Sequence, residues 1–281
     1  MKKNRNTILV ICVLIIITSI VGILIYIKNA KVNTNYIENA MFLKHKGEIY
    51  FNKDDESINL TLLFLDNKNS ELYNELKKKL NPNKYILEPY QIYDKEKNVD
   101  IYIEEINKGS EYKDAALYSV NVKVDLKGNN NYTISDLTIL DKIYDIGDIY
   151  IEKVEQGKEL NILSNIGSAK VLSKYDVEMT NKFNYDITSI NIESKKFDSY
   201  ITNIDYLVDQ KQVSTIKKND KFNIIVNFKD SENNYDVFYF GLKINYSVNG
   251  EKKITSTPYC MYGLPLTEEK ISELYKKYAT N

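Results

Sequence analysis

The sequence is poor in the residues that most catalytic and metal sites require. It has one histidine, His45, two cysteines and no tryptophan. A Ser-His-Asp or Cys-His arrangement needs a base beside its nucleophile, and a zinc site needs about four His, Cys or carboxylate ligands. His45 lies in the stretch Lys44-His45-Lys46-Gly47, which is typical of a solvated stalk or the start of a first strand. We therefore predict a non-enzymatic protein with no cofactor, no catalytic residues and no resident metal.

Arginine is almost absent as well, which limits the ligands. Arg5 is the only arginine, and bidentate recognition of phosphate, carboxylate or guanine depends heavily on the planar guanidinium group. After residue 27 the chain carries 35 lysines and 39 acidic residues, a net charge of about −4. This surface predicts no nucleic-acid binding and no attraction to anionic lipid. The abundance of Asn, Lys, Ile and Tyr also indicates a low-GC bacterium, which is the simpler explanation of the bias.

One long apolar run is present, near the N-terminus. Thr7 to Ile27 has no charged residue, follows Lys2, Lys3 and Arg5, and is long enough for a helix that crosses a bilayer. No small-x-small cleavage site follows it. We predict an uncleaved signal anchor over residues 7–27, a cytoplasmic tail over 1–6 and a tether over 28–40. The remainder should be extracytoplasmic, because a large domain translocates largely regardless of its charge.

Beyond the tether, apolar and polar residues alternate with the period of half-buried strands. The clearest runs are Tyr118 to Leu126 and Phe238 to Val248. Shorter runs predict strands at 58–65, 99–106, 132–139, 149–154, 171–178, 185–193, 201–208 and 222–228. Asn249-Gly250 and Gly128-Asn129-Asn130 suit hairpins after the two long strands, and a slip in the apolar phase predicts a bulge near Ser189.

Many short strands in about 250 residues predict a mainly β fold. We expect an N-terminal transmembrane helix followed by two antiparallel β-sandwich, immunoglobulin-like domains with a few short helices. The domains should cover residues 41–156 and 166–265. Placing Gly128 over Gly250 aligns the two long strands, which suggests a duplication, although any two hairpins alternate in this way.

Two helices should interrupt the strands. Ser70 to Leu80 offers a serine cap, leucines at i, i+4 and i+8, and a stop before Pro82. A second helix over 267–278 would place an apolar face on one side, and such a face needs a cover. We predict that it docks on the second domain; the alternative is that it binds a partner.

The candidate partner-binding residues come from the 24 tyrosines and from this last helix. Tyrosine gives rigid, amphipathic contact area, so exposed tyrosines mark binding faces, while inward ones fill a core. The predicted partner-binding set is Tyr259, Tyr262, Ile271, Leu274, Tyr275 and Tyr278. Cys260, within this segment, should be a buried thiol, or alternatively form an intermolecular bridge, because Cys12 would lie in the bilayer.

One loop is rich in oxygen ligands. Asp230 to Asp236 concentrates carboxylates and amides, but it lacks the glycine and the distal glutamate of a calcium-binding loop. It predicts weak calcium binding at most.

Together these features predict a single-pass, extracytoplasmic protein that binds or braces another cell-envelope protein. The alternative from a different class is a module that binds cell-wall glycan or a small molecule on surface tyrosines. An envelope hydrolase is the least favoured. A deep cleft lined by tyrosines would support the glycan alternative, and flat exposed sheet faces would support the protein-binding hypothesis.

Overall fold

The computed structural model describes residues 40–80, 90–94, 99–112, 115–155, 160–167, 173–229, 235–263 and 267–279. The predicted cytoplasmic tail, the predicted span at Thr7–Ile27 and the tether up to residue 39 lie outside these ranges. Within them, neither helix has the length and apolar character needed to cross a membrane. The anchor therefore stays a prediction.

The described chain is mainly β, as the sequence predicts. Its strands are β1 (Met41–Phe42), β2 (His45–Asn52), β3 (Ser57–Asn67), β4 (Tyr90–Asp94), β5 (Val99–Tyr112), β6 (Ala115–Asp125), β7 (Asn131–Ile139), β8 (Lys142–Val154), β9 (Leu160–Gly167), β10 (Lys174–Asn181), β11 (Ile187–Glu193), β12 (Ile201–Val208), β13 (Lys211–Gln212), β14 (Lys221–Phe228), β15 (Val237–Phe240), β16 (Lys243–Val248), β17 (Glu251–Ser256) and β18 (Cys260–Gly263). Its helices are α1 (Glu71–Lys79) and α2 (Glu268–Ala279).

These strands form four sheets. Sheet A has the order β1-β3-β6-β5-β4, and sheet B has the order β18-β15-β2-β8-β7. Sheet C has the order β13-β12-β14-β10-β9, and sheet D has the order β11-β16-β17. The predicted antiparallel arrangement is wrong for sheet B, where β2 runs parallel to both of its neighbours, β8 and β15.

Sheets A and B pack face to face around a first hydrophobic core. Alternate residues of β3 and β6, such as Leu62, Phe64 and Val122, are fully buried there, as the alternating pattern requires. Sheet B contributes Ile149 and Tyr239 among others. Burial of apolar surface at about 25 cal/mol per Å² makes this packing the main stabilising term.

Sheets C and D enclose a second core, and sheet B completes it. Alternation along β15 directs Val237 and Tyr239 into the first core and Phe238 and Phe240 into the second. One sheet thus serves both cores. Residues 41–156 alone lack β15 and α2, which both contribute side chains to the first core, so they do not contain a complete first core. The predicted domain boundary between residues 156 and 166 stays a prediction.

The first predicted helix forms as expected. The hydroxyl of Ser70 accepts the backbone N–H of Tyr73 at 3.0 Å and caps α1. Leu72 and Leu76 are buried in the first core. The leucine spacing therefore marks the face that packs inward.

The second helix forms but docks elsewhere than predicted. α2 contacts β5 and β6 and buries Ile271, Leu274 and Tyr275 in the first core. The prediction that it docks on the second domain was wrong. The apolar face of α2 is covered, as expected, but the cover is sheet A of the first core.

The longest predicted strand is divided. β15 ends at Phe240 and β16 begins at Lys243, and the two strands belong to sheets B and D. Gly241 lies at the break, where a Cβ atom would approach the carbonyl oxygen of Thr257 to 3.3 Å. Alternation continues across the break, so the sequence pattern does not reveal it.

The turn predictions were partly right. Asn249-Gly250 joins β16 and β17 with φ of 49° and 79°, and the bulge near Ser189 is confirmed by a register shift between Ile187 and Ser189. The turn after β6 is not a hairpin, because the chain crosses there from sheet A to sheet B. The positive φ is at Lys127, with a value of 50°.

The suggested duplication is not reproduced in the sheet order. β5 pairs with β6 in sheet A. The alignment places β6 over β16 and, with a one-residue gap, Val99–Ile103 of β5 over Phe222–Val226 of β14, but β14 and β16 lie in sheets C and D. The match in the sequence therefore reflects the alternation that any half-buried strands share.

Candidate functional site

A groove runs along the open edge of sheet D, beside the hairpin of β12 and β13. Its volume is about 360 Å³. We call it the edge groove, and it is lined by Thr188, Ser189, Ile190, Tyr206, Val213, Ser214 and Ile216. The floor is largely apolar and the rim carries hydroxyl groups.

The two ends of the edge groove are closed by hydrogen bonds. At one end, Ile187 and Ile216 exchange backbone N–H···O bonds of 2.8 and 3.0 Å. At the other end, the backbone N–H of Ile192 donates to the hydroxyl of Tyr206. Burial raises the pKa of Tyr206 above its ordinary value, and this hydrogen bond opposes the rise.

The backbone of β11 is available between these ends. Within the described part of the chain, β16 is the sole ladder partner of β11. In an antiparallel pair, alternate residues direct their N–H and C=O groups to opposite edges. Because Ile192 directs its N–H away from β16, Ile190, two residues earlier, presents its backbone groups to the groove.

The open edge of β11 lacks the charges that usually protect edge strands. The opposite edge of sheet D, β17, carries Glu251, Lys252 and Lys253. The stretch from Thr188 to Ile192 has no charged residue. Natural edge strands often carry lysine or proline, which discourages pairing with another chain. The edge groove is therefore suited to an extended peptide that adds a strand to sheet D.

Acid–base chemistry has little basis in this groove. Among its described lining residues there is no histidine, cysteine, lysine or carboxylate. The hydroxyls of Thr188, Ser189 and Ser214 therefore have no general base among the described lining residues.

A second cavity lies between α1 and the hairpin of β7 and β8. It has a volume of about 440 Å³. We call it the hairpin cleft, and its lining is formed by Ala40, Asp66, Asn67, Asn69, Glu71, Leu72, Glu75, Leu140, Lys142 and Tyr144. Burial raises the pKa of Asp66, although the hydroxyl of Ser70 and the N–H of Asn67 both donate to its carboxylate. Over the described residues, no set of His, Cys, Asp and Glu side chains is close enough to hold a metal ion.

A buried polar centre on β2 joins the two cores. The carboxylate of Glu48, fully buried, accepts the N–H of Lys195 at 2.7 Å and the N–H of Lys196 at 2.9 Å. The hydroxyls of Ser194 and Tyr50 donate to the same carboxylate. All these donors satisfy the buried charge, so Glu48 fastens the loop after β11 to sheet B.

Lys46, on the same face of β2, lies among aromatic rings. Its Nζ atom is 5.9, 5.2 and 4.9 Å from the ring centroids of Phe197, Tyr200 and Tyr235. Burial lowers its pKa from the ordinary lysine value. These contacts again hold the second core to sheet B.

His45 is the first residue of β2, which agrees with the interpretation that its stretch begins a strand. It is not solvated, as a stalk residue would be. It is fully buried, its Nδ1 lies 3.2 Å from the carbonyl oxygen of Ile146, and its Nε2 accepts the N–H of Leu63 at 3.1 Å. Because Nε2 is the acceptor, Nδ1 carries the proton and donates to Ile146. Burial lowers the pKa of His45 to about 4. Both ring nitrogens serve the packing of sheet A on sheet B.

The predicted partner-binding residues do not form one exposed surface. Ile271, Leu274 and Tyr275 are buried in the first core, and Tyr262 is buried in the second. Tyr259 is half-buried, and its hydroxyl donates to the carbonyl oxygen of Asn59. Both rings are packing residues, so the exposure that the tyrosine argument requires is not found at Tyr259 and Tyr262. Tyr278 lies in α2, and its side chain is outside the described part.

The other sequence candidates have limited support. Residues 230–234 of the predicted calcium loop lie outside the described ranges. Asp236, which closes that loop, is buried and accepts the N–H of Lys44 and the ammonium group of Lys277. Cys260 is half-buried against the second core. Among the tyrosines that the structure describes, Tyr185 alone is largely exposed, at 55%.

The sequence carries only part of the signal for these features. It predicts β11 and its bulge, but the neighbouring hairpin that makes the edge groove is a tertiary contact. Lys46 and Glu48 alternate with apolar residues, which is typical of a solvated strand face, so their burial gives no local signal. The left-handed turn at Leu140 and Asp141 lacks the usual glycine or asparagine.

Neither protein-family models nor curated proteins match this chain. Among solved structures, the chain is similar to the MSCRAMM ACE of Enterococcus faecalis, described as binding its ligands by the collagen Hug model. The identity is 12%, the match covers 83% of this chain and 96% of that one, and the TM-score is 0.22. A TM-score this low carries no argument about this chain's function.

Proposed function

We propose that this chain is a non-enzymatic, membrane-anchored protein of the bacterial cell envelope that binds an extended segment of another envelope protein. The observation that carries the proposal is the uncharged, open edge of β11 beside an apolar groove. A partner strand would bond to the backbone of Ile190 and place alternate side chains against Val213 and Ile216. Anchoring by residues 7–27, with the N-terminus inside and the bulk of the chain outside, rests on the sequence.

The glycan or small-molecule alternative has less support. Among the lining residues that the structure describes, the edge groove has one tyrosine, Tyr206, and the hairpin cleft has one, Tyr144. A platform of tyrosines for sugar stacking would need several exposed rings close together. The edge groove instead offers backbone groups and apolar contacts, which suit a peptide.

The test is recovery of a crosslinked partner from intact membranes. The full-length chain, tagged at its C-terminus, is compared with Ile190→Lys, which adds a charge to the open edge. Ile254→Lys is the matched control, because Ile254 is 41% exposed on the opposite edge strand of the same sheet. Melting temperatures of both variants establish that they are folded.

We expect one crosslinked protein with the wild type and with Ile254→Lys, and at least a tenfold lower yield with Ile190→Lys. An equal yield from all three chains would contradict binding at the edge groove. Recovery of no protein partner, together with retention of cell-wall glycan fragments, would favour the alternative.

A further inference from the structure

The edge groove and the strand beside it carry no charge over a defined stretch. Asp186 and Glu193 flank the residues from Ile187 to Ile192, and none of these six is charged. The described lining of the groove has no lysine and no carboxylate either. A charged side chain that entered the groove would leave water without an opposite charge to pair with, which costs free energy. The side chain that fills the groove should therefore be apolar.

Side chains of β11 alternate between the groove and the outer face of sheet D. Ile190 packs inward, against the second core. Asn191 lies opposite Asn245 of β16 on the outer face, and Ser189 points the same way as Asn191. A residue that pairs with Ile190 therefore directs its side chain into the groove, and its two neighbours point outward beside Ser189 and Asn191.

The closed ends of the groove limit how much of a segment can pair. Ile187 already bonds to Ile216, and the N–H of Ile192 already donates to Tyr206. These two positions on β11 are roughly 17 Å apart at about 3.3 Å per residue. Ladder hydrogen bonds to a segment are therefore centred on Ile190, and the recognised unit is three residues long.

The outer face of sheet D holds an amide group without a partner. Within the part of the chain that the structure describes, the Nδ2 atom of Asn245 is buried and has no hydrogen-bond acceptor. One cross-strand neighbour of Asn245 is Ile254, whose side chain has no acceptor. The other is Asn191, which is exposed on the edge strand. A hydrogen-bonding side chain placed beside Asn191 would orient this amide so that its oxygen accepts from Asn245.

We propose that the edge groove selects an uncharged three-residue segment of its partner, with an aliphatic side chain between two serine, threonine, asparagine or glutamine side chains. The aliphatic side chain faces Val213 and Ile216, and one polar side chain extends the amide row of Asn191 and Asn245. This inference rests on the proposed function, because it specifies the chemistry of the segment that binds there.

The test introduces charges of both signs and measures partner recovery by crosslinking in intact membranes with the full-length chain. Ser214→Asp and Ser214→Lys place a charge in the groove lining, and Asn191→Asp and Asn191→Lys place one on the outer face. Ile254→Asp and Ile254→Lys are the matched controls on the opposite edge strand. Melting temperatures establish that each variant is folded. Both signs are needed because a charged segment would be attracted by one of them.

We expect both charges at position 214 to lower recovery about fivefold or more, because each faces an aliphatic side chain. Both charges at position 191 should lower it about threefold, whereas Asn191→Ser and the controls should leave it unchanged. Asn245→Val should also lower recovery about threefold without lowering the melting temperature, because it removes an unpaired amide. A purely structural role of Asn245 would instead lower the melting temperature.

Higher recovery with either sign of charge at position 214 or 191 would overturn the proposal, because the segment would then carry the opposite charge. A lower melting temperature or unchanged recovery for Asn245→Val would overturn the amide row. If Ile190→Lys abolishes recovery but the charges at positions 214 and 191 have no effect, the proposed segment is wrong and the proposed function stands. If the wild type recovers no protein partner, the proposed function fails as well.

Discussion

The single histidine makes the packing of sheet A on sheet B testable through pH. His45 is neutral in the folded protein because burial lowers its pKa to about 4, whereas an unfolded chain would bind the proton near pH 6.5. As pH falls below 6.5, the unfolded state gains a proton that the folded state does not. The free energy of unfolding should therefore decrease between pH 6.5 and 4 and stop decreasing, for this group, below about pH 4.

The expected magnitude follows from the shift in pKa. A unit of pKa is worth about 1.4 kcal/mol, so the loss attributable to His45 is about 3 kcal/mol across this interval. In structural terms, a proton on Nε2 would face the N–H of Leu63 and remove that hydrogen bond. The loss is a large part of the margin of a typical domain, about 5–15 kcal/mol.

The assay is urea unfolding of the region from Tyr36 onward, which contains both cores, at pH values between 7 and 4. His45→Gln is the comparison, because it removes the one imidazole and leaves every carboxylate in place. The variant should be less stable at pH 7 by about 1–3 kcal/mol, since it perturbs two buried hydrogen bonds. It should lose about 3 kcal/mol less than the wild type between pH 6.5 and 4.

Equal pH dependence in the two proteins would contradict a buried, neutral His45. A nuclear magnetic resonance titration of the imidazole gives a second, direct reading, because there is no other histidine signal to confuse it. A pKa near 6.5 in the folded protein would show that His45 is solvated, and the described packing of β2 would then be wrong.

Three further substitutions test other parts of the fold by their effect on the free energy of unfolding. Glu48→Ala should cost about 3 kcal/mol, because it leaves the buried hydroxyl of Tyr50 and three part-buried donors of the loop at Ser194 to Lys196 without their acceptor. Glu251→Ala should change the free energy of unfolding by less than about 0.5 kcal/mol. Similar losses in the two variants would show that Glu48 does not hold this loop to sheet B. Gly147→Ala should severely destabilise the protein, since φ there is 111° and a Cβ atom would lie 2.0 Å from the carbonyl oxygen of His45. Gly128→Ala is the control, and it should leave the free energy of unfolding nearly unchanged because a Cβ atom there meets nothing within 4 Å. If Gly147→Ala were equally well tolerated, the pairing of β2 with β8 would be wrong. Leu274→Ala should cost about 2–5 kcal/mol by opening a cavity in the first core, and an unchanged melting temperature would mean that α2 does not pack there.

Local patterns in the sequence predict many of the elements. The alternation from Tyr118 to Leu126 gives β6, the cap at Ser70 gives α1, and Asn249-Gly250 gives a hairpin. Each of these depends on a few neighbouring residues, so the physical cause is contained in the sequence window. The mainly β class follows in the same way.

Pairing between distant strands could not be predicted. β2 pairs in parallel with β15, far along the chain, and the two faces of β15 enter different cores. A buried strand that carries Lys46 and Glu48 has the same sequence pattern as a solvated one. The difference comes from distant residues: the loop at Ser194 to Lys196 covers Glu48, and aromatic rings cover Lys46. The edge groove likewise forms where β11, the edge strand of sheet D, lies beside the β12–β13 hairpin at the edge of sheet C.

In the proposed function, the outer region binds an envelope protein along the open edge of β11. The most direct measurement applies a crosslinker that cannot cross the membrane to wall-stripped cells carrying the wild type, Ile190→Lys or Ile254→Lys. We predict that the wild type and Ile254→Lys capture the same protein and that Ile190→Lys does not. Capture that requires a membrane-permeant reagent would contradict the proposed topology, and equal capture by all three chains would contradict the edge groove as the binding site.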